Sequence, residues 1–233
     1  MKAVILAGGL GTRLRPITYE IPKPLLPVKK KPILNHLIEF FKRHAISEVA
    51  ILASSGHKND FERWAESWQK DLSSVQISIF YEEKPRGTFG GMEVLKEWLG
   101  DEPFILSNGD ELKDFKLDEL VSYHKKHKPI GTMALVEVTN PNEYGVPIMD
   151  GHTVKEFLEK PTNPPHFFVS SGLYVLSPKV FDYADFSKEN IMIEKDIFPK
   201  LAEEGKLIGL KMIGGRWFDC GNLERWEKAM KEW

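Results

Sequence analysis

A single cysteine, Cys220, occurs in the whole sequence. It excludes an internal disulfide and a thiolate-rich metal cluster, and it fits a reducing compartment. Long apolar runs are missing too. No stretch approaches the roughly 18 residues that a membrane-spanning helix needs, so no membrane partner is expected. The opening MKAVILAGG passes from a short apolar stretch straight into glycines, which is not the pattern of a secretory leader. The cytoplasm is the expected location. Neither sign of charge dominates: 32 Lys and Arg stand against 34 Asp and Glu, a formal net charge of −2. That balance argues against a general nucleic-acid binder and confines any anion site to a local cluster. Internal repeats and low-complexity segments are absent, so a left-handed β-helix built of hexapeptide repeats is not expected.

What is present is a chain of 233 residues, long enough for one large domain with a sizeable core. In the first half, apolar β-rich runs alternate with amphipathic stretches. Strands are expected over 2–7, 48–54, 75–82 and 103–108, and helices over 32–45, 58–70, 90–99 and 115–127. Pro32 opens the first helix, with Ile33, Leu37, Phe40 and Phe41 on one face. This βαβα rhythm predicts an α/β fold with a mixed, mostly parallel sheet covered by helices on both faces. The second half holds closely spaced strand-like runs (TMALVEV, YGVPIM, TVKEFLEK, HFFVSSGLYVL, KLIGLKMI) and two helices, IEKDIFPKLAEEG ending at Gly205 and LERWEKAMKEW. A single domain is expected, with halves of about 1–130 and 131–233 and a small subdomain in the second.

The first strand runs into GGLGTRLRPITYEIPKP. Glycines let a backbone approach a ligand closely, and bare N–H groups beside Arg13, Arg15 and Lys23 make an anion cradle. Two better-known phosphate motifs fail. A dinucleotide fingerprint needs a third glycine where Leu14 stands, and no G-K-[ST] follows. The alternative is a tight strand-to-loop turn without a ligand. Pro22 and Pro24 restrict the chain on both sides of Lys23 and predict a rigid extended segment.

The run G-G-x-G-T-R-L-x-P-x-T from Gly8, followed by P-K-P, resembles the signature of the sugar-phosphate nucleotidylyltransferases, and members of the mannose-1-phosphate guanylyltransferase type are nearest in pattern. The resemblance implies the Rossmann-like nucleotide-diphospho-sugar transferase fold, a nucleotide-binding first half and a sugar-phosphate-binding second half. It implies that Leu6, Gly8, Gly9, Gly11, Thr12, Arg13 and Lys23 bind a nucleoside triphosphate, together with Gly87 of the G-T-F-G-G segment. Asp110 in PFILSNGD and Asp219 in WFDCGN would hold Mg²⁺, for which carboxylates are suitable hard ligands. Read alone, Asp110 could be a turn residue and Asp219 part of a helix-capping region. TVKEFLEKP is similar to the family's E-K-P motif, so Lys160 would bind the sugar phosphate and Glu159 the sugar hydroxyls; a solvated strand edge is the plainer reading. Gly145 of EYGVPI would give backbone access to the sugar. Ser171 and Gly172 fall where the family usually has N-x-G, with Ser170 in the place of the asparagine. Glu82 aligns with the base-contacting position. A carboxylate accepts hydrogen bonds only, which suits guanine N1–H and N2–H₂ better than uracil or thymine. Glu82 and Glu83 as solvated loop charges remain the alternative.

The implied activity is Mg²⁺-dependent nucleotidyl transfer, GTP favoured, to a mannose- or heptose-type sugar 1-phosphate. Arg13, Lys23, Lys160 and Asp110 would carry it. Thymidylyl or uridylyl transfer to glucose 1-phosphate is the alternative, and a non-catalytic nucleotide-sugar sensor a further one. CTP with phosphocholine and a nicotinamide cofactor fit the motifs less well. A homo-oligomer is also expected from the resemblance.

Overall fold

The computed structural model describes residues 1–68 and 70–233. The chain forms two compact units: Met1–Pro85, Ser107–Phe115 and Gly215–Trp233 in the first, Arg86–Leu106 and Lys116–Gly214 in the second. They interleave along the chain rather than dividing once near residue 130.

Met1–Pro85 contributes β1 (Ala3–Ala7), β2 (Pro27–Val28), β3 (Lys31–Pro32), α1 (Ile33–Arg43), β4 (Glu48–Ser54), α2 (Lys58–Trp68) and β5 (Gln76–Glu82). The helix expected over 58–70 is α2, and residue 69 lies outside the described residues. Strands β1, β4 and β5 pair in parallel, order β5-β4-β1, with Ala7 beside Ala53 and Ser54 beside Glu82. Val4, Ile5 and Val49–Ala53 are almost wholly buried. Continuous apolar runs of this kind are what a parallel sheet covered on both faces requires. Helix α1 buries Ile33, Leu34, Leu37, Ile38, Phe40 and Phe41, each worth about 1.5–3 kcal/mol as removed apolar surface. Strands β2 and β3 form a hairpin through Lys29 and Lys30, both at positive φ (47° and 67°). Positive φ at both central residues is the geometry of the two-residue turn that matches strand twist. The proline-flanked segment is not extended throughout: Lys23–Leu25 make a 3-10 turn between extended Pro22 and Leu26.

Next come α3 (Gly87–Gly90), α4 (Lys96–Leu99), β6 (Phe104–Asn108) and β7 (Glu111–Asp114). The single helix expected over 90–99 is broken into α3, a 3-10 turn at Gly91–Leu95 and α4. Three glycines weaken a continuous helix here, and the N–H groups of Phe89 and Gly90 both turn to the Ile191 carbonyl, at 2.9 and 3.2 Å. Lys116–Gly214 holds α5 (Leu117–His127), β8 (Gly131–Glu137), β9 (Gly145–Asp150), β10 (Thr153–Glu159), β11 (Phe168–Leu176), α6 (Phe198–Glu203) and β12 (Leu207–Lys211). Its sheet is mixed, order β11-β8-β12-β10-β9, with β8 and β12 parallel and the other pairs antiparallel. A π-turn at Ile193–Ile197 precedes α6, where Pro199 has no N–H to continue the ladder.

The chain closes with β13 (Arg216–Asp219) and α7 (Leu223–Glu232) in the first unit. Strand β13 pairs antiparallel with β7, Asp219 opposite Glu111 and Trp217 opposite Lys113. Trp226 Nε1 of α7 donates to the Pro27 carbonyl at 3.0 Å and anchors the helix on the β2–β3 hairpin. Among the described residues no helix is long and apolar enough to cross a membrane.

Candidate active site

In the first unit the glycine loop leaves the carboxyl end of β1, where open α/β sheets place ligand-binding groups. The loop's glycines have different causes. A Cβ on Gly8 would collide with the Glu82 carboxylate. Gly11 sits at φ +60°, and its carbonyl accepts from Thr18 Oγ1 at 2.8 Å. A Cβ on Gly9 would meet nothing within 4 Å. The fold therefore explains Gly8 and Gly11 and leaves Gly9 as backbone bared toward solvent. Thr12–Leu14 follow as a 3-10 turn that buries Leu14 and leaves Thr12 and Arg13 exposed. Arg13 has no ion pair or side-chain hydrogen bond with a described residue, whereas Arg15 lies 4.9 Å over the Tyr19 ring. Glu82, the last residue of β5, is 8% exposed and packed under Gly8, while Glu83 is exposed. Glu82 is thus not a solvated loop charge.

The Leu6 carbonyl accepts from Gly109 N at 3.0 Å and ties the N-G-D turn to the end of β1. Asp110 follows. Its carboxylate accepts from Lys23 Nζ, and its backbone oxygen accepts from Cys220 N at 2.9 Å. That last bond, with the β7–β13 register, brings Asp219 beside Asp110. Asp219 accepts from Gly221 N at one oxygen and from Arg225 Nη1 at the other. Behind them lies a buried pair: Lys113 Nζ donates to Glu111 at 2.8 Å, and Asn108 Nδ2 and Trp217 Nε1 also donate to that carboxylate, at 2.8 and 2.9 Å.

The electrostatics follow from this crowding. Burial works to raise the Asp110 carboxyl, but the Lys23 ammonium outweighs it and the net shift is downward. Burial, with the Asp110 and Asp219 carboxylates, raises Glu111 to about 7 against the pull of Lys113. Burial and the same carboxylates push the Cys220 thiol well above its usual range, so it is an inert packing group. Two adjacent carboxylates suit Mg²⁺, which takes one or two and completes its shell with water and phosphate oxygens. Among the described residues there is no cluster of three His, Cys, Asp or Glu that could hold a metal.

The second unit holds the other set. Gly145 lies opposite Glu159 in the β9–β10 ladder, and Lys160 N donates to the Tyr144 carbonyl at 3.1 Å. The Phe157 ring occupies the space a side chain at 145 would need, so packing alone accounts for that glycine. Lys160 is exposed, sits at φ +52°, and has its ammonium 3.6 Å from Glu159. Lys29, Lys30 and Lys128 share this left-handed region, which costs a residue with a Cβ about 1–2 kcal/mol. Ser170 pairs with Leu135, and Ser171 and Gly172 follow it in a bulge of β11. Ser171 is fully buried, and its hydroxyl donates to the Ala134 carbonyl at 2.9 Å, inside the sheet. Gly87 opens α3 at φ +83° against the backbone of Ile191.

Sequence reasoning missed four participants. Glu111 and Lys113 alternate on one strand face, a signal that could have been read; Arg225 and Glu194 carried none. Glu194, on the π-turn, accepts from Thr88 Oγ1 at 2.6 Å. Its carboxyl is raised by burial, with Glu159 adding to the shift.

A family model described as Nucleotidyl transferase matches residues 2–233. The chain belongs to the nucleotidyl transferase family. Mannose-1-phosphate guanyltransferase beta-B of Xenopus laevis is 39% identical over 225 residues, which are 95% of this chain and 61% of that protein. The chain therefore spans less than two thirds of that curated relative's length. A solved structure from Bacillus anthracis, assigned as a glucose-1-phosphate thymidylyltransferase and containing sucrose, has a TM-score of 0.90 at 26% identity, covering 99% of this chain and 94% of that one. HddC from Yersinia pseudotuberculosis, in complex with GMP-PN, gives 0.81 at 26% identity, over 99% and 98%. The α/β fold expected from the sequence is the fold of these family members.

Proposed function

We propose that this nucleotidyl transferase moves a nucleotidyl group from a nucleoside triphosphate to a sugar 1-phosphate with Mg²⁺, forming an NDP-sugar and pyrophosphate. GTP and a mannose- or heptose-type sugar 1-phosphate are the favoured pair, in line with the name of the Xenopus relative. The observation that carries the reading is the cluster of the Lys23–Asp110 and Arg225–Asp219 pairs, joined by the Cys220 N to Asp110 O bond and tied through Gly109 to the end of β1, from which the glycine loop and its exposed arginine follow.

A sugar-phosphate oxygen forms a bond to the α-phosphorus. The bond from that phosphorus to the β-phosphate bridge oxygen breaks, and its electron pair leaves with pyrophosphate. The attacking phosphate is already an anion, so no general base is required. The work is to bring two repelling anions together and to neutralise developing charge. Gly8, Gly9, Gly11 and Thr12 offer backbone N–H groups to the triphosphate. Arg13 faces the leaving pyrophosphate, and Lys23 exchanges Asp110 for a nucleotide phosphate. Glu82 accepts from the guanine edge. In the second unit Lys160 holds the sugar phosphate and Glu159 the sugar hydroxyls. Asp110 and Asp219 would hold Mg²⁺, which when bound would supply charge neutralisation.

Thymidylyl or uridylyl transfer to glucose 1-phosphate is the second reading, favoured by the likeness to the Bacillus anthracis structure. A sensor without catalysis would not need Arg13, Lys23, Asp110, Asp219 and Lys160 together. A cytoplasmic supply of NDP-sugar for glycans, by a homo-oligomer, belongs to the same proposal. Pyrophosphate release, measured across GTP, UTP, dTTP and CTP against several sugar 1-phosphates, with Mg²⁺ and with EDTA, tests it. Release that requires a sugar phosphate and Mg²⁺ is the expected result. A winning UTP or dTTP overturns the guanine assignment of Glu82, and silence across the matrix overturns the enzyme reading.

A further inference from the structure

We propose that Arg225 is a positioning residue that holds Asp219 while no metal is bound and thereby couples metal binding to nucleotide binding. The inference rests on the reading of Asp110 and Asp219 as metal ligands. Arg225 stands in the first turn of α7, where its backbone N donates to the Oδ1 of the capping Asn222 at 2.9 Å. The cap gives the helix a defined start, so the guanidinium is aimed at Asp219 from a rigid base. Both Asp219 oxygens are engaged within the chain, one by Gly221 N and one by Arg225. Asp110 is engaged in the same way by Lys23. These are sheltered pairs: the Arg225 and Asp219 side chains are 19% and 12% exposed, and Lys23 is 12% exposed.

The cluster's charges cancel in pairs: Asp110 with Lys23, Asp219 with Arg225, Glu111 with Lys113. A metal ion arriving alone must displace both cations from these carboxylates, and separating sheltered opposite charges is costly. A triphosphate arriving alone meets cations whose charge is already answered. When both arrive, the carboxylates go to the metal and the phosphate oxygens re-pair the released ammonium and guanidinium. Every charge is then matched again. Arg13, exposed and unpaired among the described residues, can meet an anion without any such exchange.

The test uses Mn²⁺ as a paramagnetic substitute for Mg²⁺, titrated onto the nucleotide-free protein with the free ion followed by electron spin resonance. Arg225→Gln is expected to bind Mn²⁺ about tenfold more tightly than the parent, within the usual 5–150-fold range of such couplings. The factor by which Mn²⁺ improves GTP affinity should shrink equally, because the coupling is reciprocal. Arg225→Lys keeps the charge and should behave like the parent in both measurements. Arg225→Met, which keeps the apolar stem, serves the same comparison if the Gln variant melts early. Unchanged or weaker Mn²⁺ binding by a folded charge-removing variant overturns the role of Arg225. Equal Mn²⁺ binding by the Asp110→Asn, Asp219→Asn double variant instead overturns the metal-ligand reading beneath it.

Discussion

Lys113 offers a direct test of how the acidic cluster is supported. Its side chain is fully buried and pairs with Glu111, itself 8% exposed. Lys113→Met keeps the stem's volume and removes the ammonium. Glu111 then keeps the Asn108 and Trp217 donors, at 2.8 and 2.9 Å, but loses its counter-charge while the Asp110 and Asp219 carboxylates stay near. Breaking a buried pair by removing one partner costs about 3–5 kcal/mol, so a loss of that size is expected at pH 8. The sign of the pH dependence follows from the direction of the Glu111 shift. Its carboxyl is already raised to about 7, and without Lys113 it rises further. Between the unfolded value and this raised one the folded state binds the extra proton, so stability falls as pH rises through the window. The variant's deficit should therefore be smaller at pH 5 than at pH 8. Urea denaturation of both proteins at the two pH values measures it, and Lys113→Met combined with Glu111→Gln should recover most of the loss. A deficit under about 1 kcal/mol at pH 8, or one equal at both pH values, refutes the reasoning.

Three further tests address the loop, the second unit and the core. Gly8→Ala forces a Cβ against the Glu82 carboxylate and should destabilise by roughly 1–3 kcal/mol, whereas Gly9→Ala should leave stability within about 0.5 kcal/mol and weaken nucleotide binding; equal nucleotide affinity of Gly9→Ala and parent in calorimetry would remove the loop from the site. Lys160→Gly relieves a positive φ and should raise the melting temperature, by about 0.5–1 kcal/mol of stability, while abolishing transfer; retained turnover would show the strain to be incidental. His124 is buried with Nδ1 2.8 Å from Thr132 Oγ1, and burial lowers its imidazole to about 4. Its neutral form therefore supports the fold, and that support is lost as pH falls from 6.5 toward 4; a titration midpoint above 6 by proton NMR would contradict this.

Much of the fold was legible because it is locally encoded. Strand β4 occupies the residues expected, and β1 differs by one, since both are continuous apolar runs buried on two faces. Helix α1 declares itself through Ile33, Leu37, Phe40 and Phe41 at helical spacing. The missed elements lack such a signature. Strands β7 (ELKD) and β13 (RWFD) are four residues each, too short to show a period, and each is a strand because the other pairs with it. The β2–β3 turn uses Lys29 and Lys30 rather than the residues that usually signal such a turn. Residues 90–99 read as one helix, yet the N–H groups of Phe89 and Gly90 at its start are claimed by Ile191 from far along the chain.

The division runs through the site as well. The strand entering G-G-L-G-T-R, and the N-G-D and W-F-D-C-G segments, carried the family resemblance and its candidate residues, because those motifs are contiguous. Tertiary structure alone decided that Glu82 lies beneath Gly8, that Asp110 meets Asp219 through one backbone bond to Cys220, and that each carboxylate is already paired, with Lys23 and with Arg225. Local sequence carries dihedral preference and periodicity. Which charge answers which, as Lys23 answers Asp110 across 87 residues, depends on sheet register and on burial that makes an unanswered charge too costly to keep.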